Sequence, residues 1–236
     1  MNESETTNIR ALPIFAEMAD DNFESLMRGS YVQNFPPQIE LISEGEPSDF
    51  LHVIISGAVE LFATWNGRES TMAIVRPVST FILAATIKDA PYLMSARTLE
   101  KSRIVLLPST DVRQIYDIDN GFSRALVTEL AQCYRGVVKN SKDLKLRTSI
   151  ERLANYLLKH HNRANGNGNG NGTFELNIEK RKIASQMGMT PENLSRAIKA
   201  LKPYGVTVNG TSVHIADADD LASLAKPDPL IDDPLS

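Results

Sequence analysis

Glu192, Ser195 and Arg196 sit three and four positions apart near the C-terminal end of the sequence. That spacing puts all three on one face of any α-helix that contains them. Leu194, Ala197, Ile198 and Leu201 recur at helical spacing on the opposite face, as residues bound for a core do. The outward types suit the edges of DNA bases in a major groove. An arginine binds guanine O6 and N7 with two parallel hydrogen bonds, a carboxylate accepts from the cytosine amino group, and a serine contacts a base edge or a thymine methyl. Lys180, Arg181, Thr190, Asn193 and Lys199 lie where they could meet phosphates and set the register of such a helix.

The elements needed to position these side chains are also legible. Ile183, Ala184 and Met187 form the inner face of a first helix beginning near Glu179. Gly188 permits the tight turn that follows. Thr190-Pro191 is a strong helix start, because the threonine hydroxyl can cap free N–H groups and proline at the first helical position loses no hydrogen bond. Residues 206–215 alternate around Asn209-Gly210, which predicts a hairpin wing. Together these are the parts of a winged helix-turn-helix.

Charge supports the reading once it is resolved along the chain. The formal net charge of the 236 residues is −4. Counting Lys+Arg minus Asp+Glu gives 14 − 19 = −5 for residues 1–146, 10 − 4 = +6 for residues 147–216, and 1 − 6 = −5 for residues 217–236. One basic segment between two acidic ones is the footprint of a module that meets phosphates.

Upstream, residues 31–108 read as short apolar or alternating runs broken by turn residues, with Asn66-Gly67 as a hairpin turn. Such a pattern predicts a β-barrel or jelly roll. Helical periodicity begins at Ser109. Between residues 119 and 146, Leu126, Leu130, Cys133, Val137, Asn140 and Leu144 follow steps of 4, 3, 4, 3 and 4. Those steps form a heptad seam, which predicts a long helix paired with a second copy of itself; packing on its own domain is the alternative. A further helix is predicted over residues 147–161. The Asn-Gly repeat at residues 165–172 lacks the context of a phosphate-binding glycine loop and reads as a flexible surface loop. A short strand is expected at residues 174–178. The acidic tail from Asp217 is expected to fray after a short helix at residues 218–224. The domains are therefore 1–108, 109–146, 147–216 and 217–236, in an α+β fold.

Other classes are disfavoured. No paired carboxylates, Ser/His/Asp set or metal-ligand spacing has the context of an active site, so an enzyme is not expected. Cys133 is the single cysteine, which excludes an intramolecular disulfide or a cysteine-held cluster. Across a two-fold axis it could meet its own copy as a redox pair, although a lone cysteine more often acts as a small hydrophobe. His52 reads as a packed core residue, and His160 and His161 as a favourable charge at a helix C-terminus. The polar start is not a signal peptide, and no apolar run is long enough to span a bilayer, so the expectation is a cytoplasmic protein with no membrane partner. A regulatory module acting mainly through protein contacts is the alternative to a DNA reader.

The order of elements resembles the CRP/FNR family of bacterial transcription regulators over residues 12–216. The resemblance rests on Leu12-Pro13-Ile14-Phe15, Glu44-Gly45-Glu46, Asp49-Phe50-Leu51-His52-Val53-Ile54, Ser56-Gly57 and Val59-Glu60-Leu61 at the front. At the back it rests on Lys182-Ile183-Ala184, Gly188-Met189-Thr190, Glu192 and Ser195-Arg196. It implies a homodimer with an effector-sensing, cyclic-nucleotide-binding-like jelly roll, a long dimerisation helix and a C-terminal winged helix-turn-helix. Double-stranded DNA and RNA polymerase are the implied partners. The trio Glu192, Ser195 and Arg196 resembles the FNR-type reader of TTGA-like palindromes, and Pro191 stands where CRP-type readers carry an arginine. The sensor departs from both namesakes. Ala84 and Met94 replace the glutamate and arginine that hold a cyclic nucleotide, and the N-terminal cysteines of oxygen-sensing members are absent. No cofactor is identifiable from the sequence; haem or another small effector remains open. Residues 76–85 and 94–98 resemble the FtrB-like regulators of proteobacteria.

Overall fold

The computed structural model describes residues 2–165, 172–176 and 178–233. It divides into two compact units, Met1–Tyr134 and Arg135–Ser236. The first unit opens with three short helices that the sequence reading left unassigned: α1 (Glu3–Arg10), α2 (Pro13–Ala16) and α3 (Asp20–Arg28). Asn2 and Glu5 form a reciprocal capping box on α1, and Pro13 starts α2 at its first turn. The Arg10 guanidinium joins the three, donating to the carbonyls of Phe15 and Met18 and pairing with Asp20 at 2.8 Å.

The β-region follows in chain order as β1 (Tyr31–Phe35), β2 (Glu40–Ile42), β3 (Phe50–Ser56), β4 (Val59–Trp65), β5 (Arg68–Val75) and β6 (Ser79–Phe81). Then come α4 (Leu83–Lys88), β7 (Ser95–Thr98), β8 (Ser102–Pro108) and α5 (Ser109–Ile118). Two antiparallel four-stranded sheets result, ordered β1-β8-β3-β6 and β2-β7-β4-β5. Strands β3 and β8 are covered on both faces. Leu51, Val53, Val105 and Leu107 point into a core shared with α1–α3 and α5, whereas Ile54 and Ile104 point into the space between the sheets. This double burial explains why residues 51–55 read as a continuous apolar run. The predicted Asn66-Gly67 turn joins β4 to β5, with φ of 49° and 72°. Gly57, between β3 and β4, has φ +94°, and a Cβ there would lie 2.7 Å from the Lys101 carbonyl oxygen.

Helix α6 (Asn120–Leu146) is the predicted long helix, but its seam needs revision. Asp119 starts it, accepting from the Phe122 and Ala19 N–H groups and from the Asn22 amide. Leu126 is fully buried in the first unit's core beside Phe122 and so is not free for a partner helix, and Leu130 is partly buried against the same core. The exposed apolar residues of α6 are Val127, Tyr134, Val137, Val138, Leu144 and Leu146, so Val137 and Leu144 of the predicted seam stay open. Val127, Tyr134, Val137 and Val138 share a face rotated away from the predicted one, with Val137 common to both. Cys133 is exposed, and burial of its surroundings and Glu129 push its thiol up, which disfavours a reactive thiolate.

The second unit contains α7 (Ser149–Asn165), β9 (Gly172–Glu175), α8 (Lys180–Gln186), α9 (Pro191–Ala200), β10 (Val206–Asn209), β11 (Ser212–Ile215), α10 (Ala218–Ala225) and α11 (Pro229–Asp232). The Asn-Gly repeat falls outside the described residues except at its two ends. Two expectations are corrected here. Helix α7 runs past His160 and His161, which are packed inside it and do not end it: His161 is fully buried against Phe174, and His160 lies between Tyr156 and Phe174. The short helix expected at residues 218–224 is α10, but the tail does not fray after it: α11 follows, and Arg147 and Lys139 hold Asp232 and Asp233. Among the described residues, no group of three His, Cys, Asp or Glu side chains could hold a metal, and no helix is long and apolar enough to cross a membrane.

His52 lies between the sheets, stacked on Phe81 with ring centroids 5.0 Å apart. Burial, partly opposed by a hydrogen bond to the Phe50 backbone, pushes it down to about 4. The folded state therefore favours the neutral ring. Its contribution is complete above the ordinary value near 6.5 and is lost as pH falls from there toward 4. Lowering the pH from 7.5 to 4.5 should cost wild type about 2–3 kcal/mol more than His52→Leu, read from urea unfolding of both proteins.

Candidate nucleic-acid interface

The site is built on the apolar core of the second unit. Leu153, Ala154, Leu157 and Leu158 of α7 meet Ile183 and Ala184 of α8 and Leu194, Ala197 and Leu201 in and just beyond α9. Phe174, Val206, Val213 and Ile215 close the core from the three-stranded sheet β10-β11-β9. Each residue assigned to an inner face is buried or partly buried there, Ile198 being among the latter. Burying a leucine-sized side chain stabilises by roughly 1.5–3 kcal/mol, so the orientation of α9 is firmly set.

The turn and the helix start are built as expected. Gly188 adopts φ +62°, and a Cβ there would come within 3.1 Å of Leu144 Cδ2. Leu144 thus packs at this turn. Thr190 has extended backbone and caps α9, its hydroxyl oxygen accepting from the Asn193 N–H at 3.2 Å. Pro191 occupies the first turn.

Glu192, Asn193, Ser195, Arg196 and Lys199 are all exposed along α9, as are Lys180 and Arg181 at the start of α8 and Thr190 at the cap. The structure therefore places the predicted base-reading trio together on the outer face of one helix. The Glu192 carboxyl is held below the usual carboxylate range by its own backbone N–H, by the Thr190 hydroxyl and, more weakly, by Arg196 one turn along. The Ser195 hydroxyl donates to the Pro191 carbonyl at 3.0 Å, which leaves its lone pairs for a donor such as a base amino group. The wing carries Thr173 and His214 in contact at 3.2 Å on adjacent strands, and Thr211 donating to Glu175 at 2.6 Å.

Two arginines escaped the sequence reading. Arg152 donates from Nε to the Met187 carbonyl at 3.1 Å and from Nη1 to the Arg147 carbonyl at 2.6 Å, tying the helix-turn-helix turn to the α6–α7 joint. Arg147 is almost buried between Asp143 and Asp232. No local pattern announces either role, since their partners lie up to 85 residues away.

Comparison with known proteins decides what this arrangement is. Residues 32–119 match the cyclic nucleotide-binding domain family, and residues 151–224 match the Crp-like helix-turn-helix domain family. The chain belongs to the CRP/FNR family of transcription regulators. It is 28% identical over 195 residues to the CRP-like cAMP-activated global transcriptional regulator of Mycobacterium tuberculosis, covering 82% of this chain and 87% of that protein. It is 23% identical over 186 residues to the transcriptional activator protein anr of Pseudomonas aeruginosa, covering 78% and 76%. The structure of FixK2 from Bradyrhizobium japonicum superposes with a TM-score of 0.70 at 22% identity, over 83% of this chain and 96% of that one, a likeness of fold. The α+β architecture expected for this CRP/FNR chain, a β-rich N-terminal domain, a long helix and a helix-turn-helix, is the one observed.

The cap on the reading helix gives a direct test. Thr190→Ala removes the acceptor for the Asn193 N–H and the hydroxyl beside Glu192. It should lower the opening free energy of α9 amides in hydrogen exchange by about 1 kcal/mol, with Thr190→Ser near wild type.

Proposed function

We propose that this CRP/FNR regulator acts as a homodimer that reads TTGA-like palindromes, under control of a signal other than a cyclic nucleotide at its β-domain. The observation that carries the DNA reading is the division of α9: Leu194 and Ala197 are buried, and Glu192, Ser195 and Arg196 are exposed together. Lys180, Arg181, Asn193 and Lys199 are the proposed phosphate contacts, with Thr190 holding the helix start that presents them. Self-association is supported by the exposed apolar stripe Val127, Tyr134, Val137 and Val138 on α6. RNA polymerase is the expected further partner by family likeness.

The absence of cyclic-nucleotide binding is inferred from charge. Ala84, at the start of α4, and Met94, just before β7, stand where a carboxylate and a guanidinium would hold ribose and phosphate. Arg97 on β7 is committed elsewhere. It pairs with buried Glu60 at 2.7 Å and with Glu69, and its guanidinium lies 4.3 Å over the Phe62 ring. Between the sheets, Ile42, Val59, Leu61, Phe81 and Tyr92 supply an apolar filling, with His52 stacked on Phe81, a setting suited to a small uncharged effector.

Gel-shift titration on a TTGA-type palindrome and on a scrambled duplex, across a salt series, tests the reader. Arg196→Ala should cost roughly 1–3 kcal/mol on the palindrome and little on the scrambled duplex. Equal losses on both would reduce Arg196 to a phosphate contact and remove the specificity assigned to it.

A further inference from the structure

The C-terminal segment after α10 turns back on the unit that carries it. Asp232 on α11 receives both terminal nitrogens of Arg147, at 2.8 and 2.6 Å, the two-pronged pairing that fixes geometry as well as charge. Arg147 Nη1 also donates to Asp143 on α6 at 2.9 Å. Lys139, one turn earlier on α6, donates to the Asp233 carbonyl at 2.7 Å. On the near side, Asn155 of α7 donates to the Ala225 carbonyl at 2.6 Å, where the segment leaves α10. The segment is itself ordered by Asp228, whose carboxylate accepts from the Leu230 N–H and whose own N–H donates to Asp232. Residues 226–233 therefore bridge α10 and the last turns of α6 across the α6–α7 joint.

That joint is the point at which α6 meets the DNA reader. Its two ends are already linked to the helix-turn-helix. The Arg147 carbonyl accepts from Arg152, and Arg152 donates on to Met187 at the turn before α9. Leu144 of α6 packs at Gly188 in the same turn. A chain of direct contacts thus runs from Asp232 through Arg147 and Arg152 to the turn that aims the recognition helix. The Arg147 side chain is only 8% exposed, so losing Asp232 would strand a nearly buried cation with one carboxylate. Surface ion pairs contribute little, but a pair of this burial and geometry restrains the groups it joins.

We propose that Arg147 and Asp232 are positioning residues for DNA reading: the tail segment 226–233 straps the α6–α7 joint and fixes the angle between α6 and the recognition helix α9. This rests on the two-site reading above, because an angle fixed at the joint matters most when two readers must engage half-sites at set spacing. A single reader on a single half-site needs no such constraint.

Full-length Asp232→Ala, Asp232→Asn and Asp232→Glu proteins are compared with wild type in two measurements. Hydrogen exchange at amides 145–149 should quicken at least about tenfold in Asp232→Ala and Asp232→Asn and return toward wild type in Asp232→Glu, with core amides of α7 unchanged. Affinity for a palindromic duplex should fall about tenfold in the first two, while affinity for a duplex with one half-site stays within about twofold. Unchanged exchange at the joint in Asp232→Ala overturns the strap, and equal losses on both duplexes overturn the positioning role in favour of general damage. A wild-type protein that shows no preference for the palindrome sinks the dimeric reading instead, and the exchange data then decide on their own whether the strap holds.

Discussion

The amphipathic seating of α9 governs what the second unit can do. Leu194, Ala197 and Leu201 are locked against α7, α8 and the wing sheet, and Ile198 packs at their edge. Rotating this helix by even a third of a turn would expose leucine and bury Glu192 or Arg196, whose charges would find no partner in that apolar core. The outward trio is therefore a consequence of the inward one. Gly188, Thr190 and Pro191 then fix where the helix begins, and Arg152 fixes the turn that precedes it.

The first unit follows the opposite logic. Its central strands β3 and β8 are buried on both faces, with helices on one side and the second sheet on the other. Its charged side chains are arranged for internal pairing: Arg97 with Glu60 and Glu69, Arg103 with Glu5, Arg10 with Asp20. On the proposed reading, Ala84 and Met94 stand where cyclic-nucleotide-binding members of the family present charge to a ligand.

How far the sequence alone reached depended on the range of the interactions. The helix-turn-helix was legible almost to the residue, because Gly188, Thr190-Pro191 and the 3.6-residue apolar period act within a few positions of one another. The Asn66-Gly67 and Asn209-Gly210 hairpins were legible for the same reason. The heptad reading of α6 failed at Leu126 and Leu130 because periodicity reports an apolar face without saying what covers it, and here the first unit's own core does so. His160 and His161 looked terminal because the helix period weakens before Asn165. Arg147 and Asp232 were invisible as a pair, since nothing local links an arginine at a helix joint to a carboxylate in an acidic tail.

As proposed, this CRP/FNR chain reads DNA as a two-fold pair of α9 helices. Selection of bound duplexes from a random-sequence pool by the full-length protein tests it most directly. Two-fold reading should enrich an inverted repeat with TTGA-like arms whose centres lie about one helical turn, or a multiple of it, apart. Enrichment of a single unrepeated element, or none above the input pool, would contradict it.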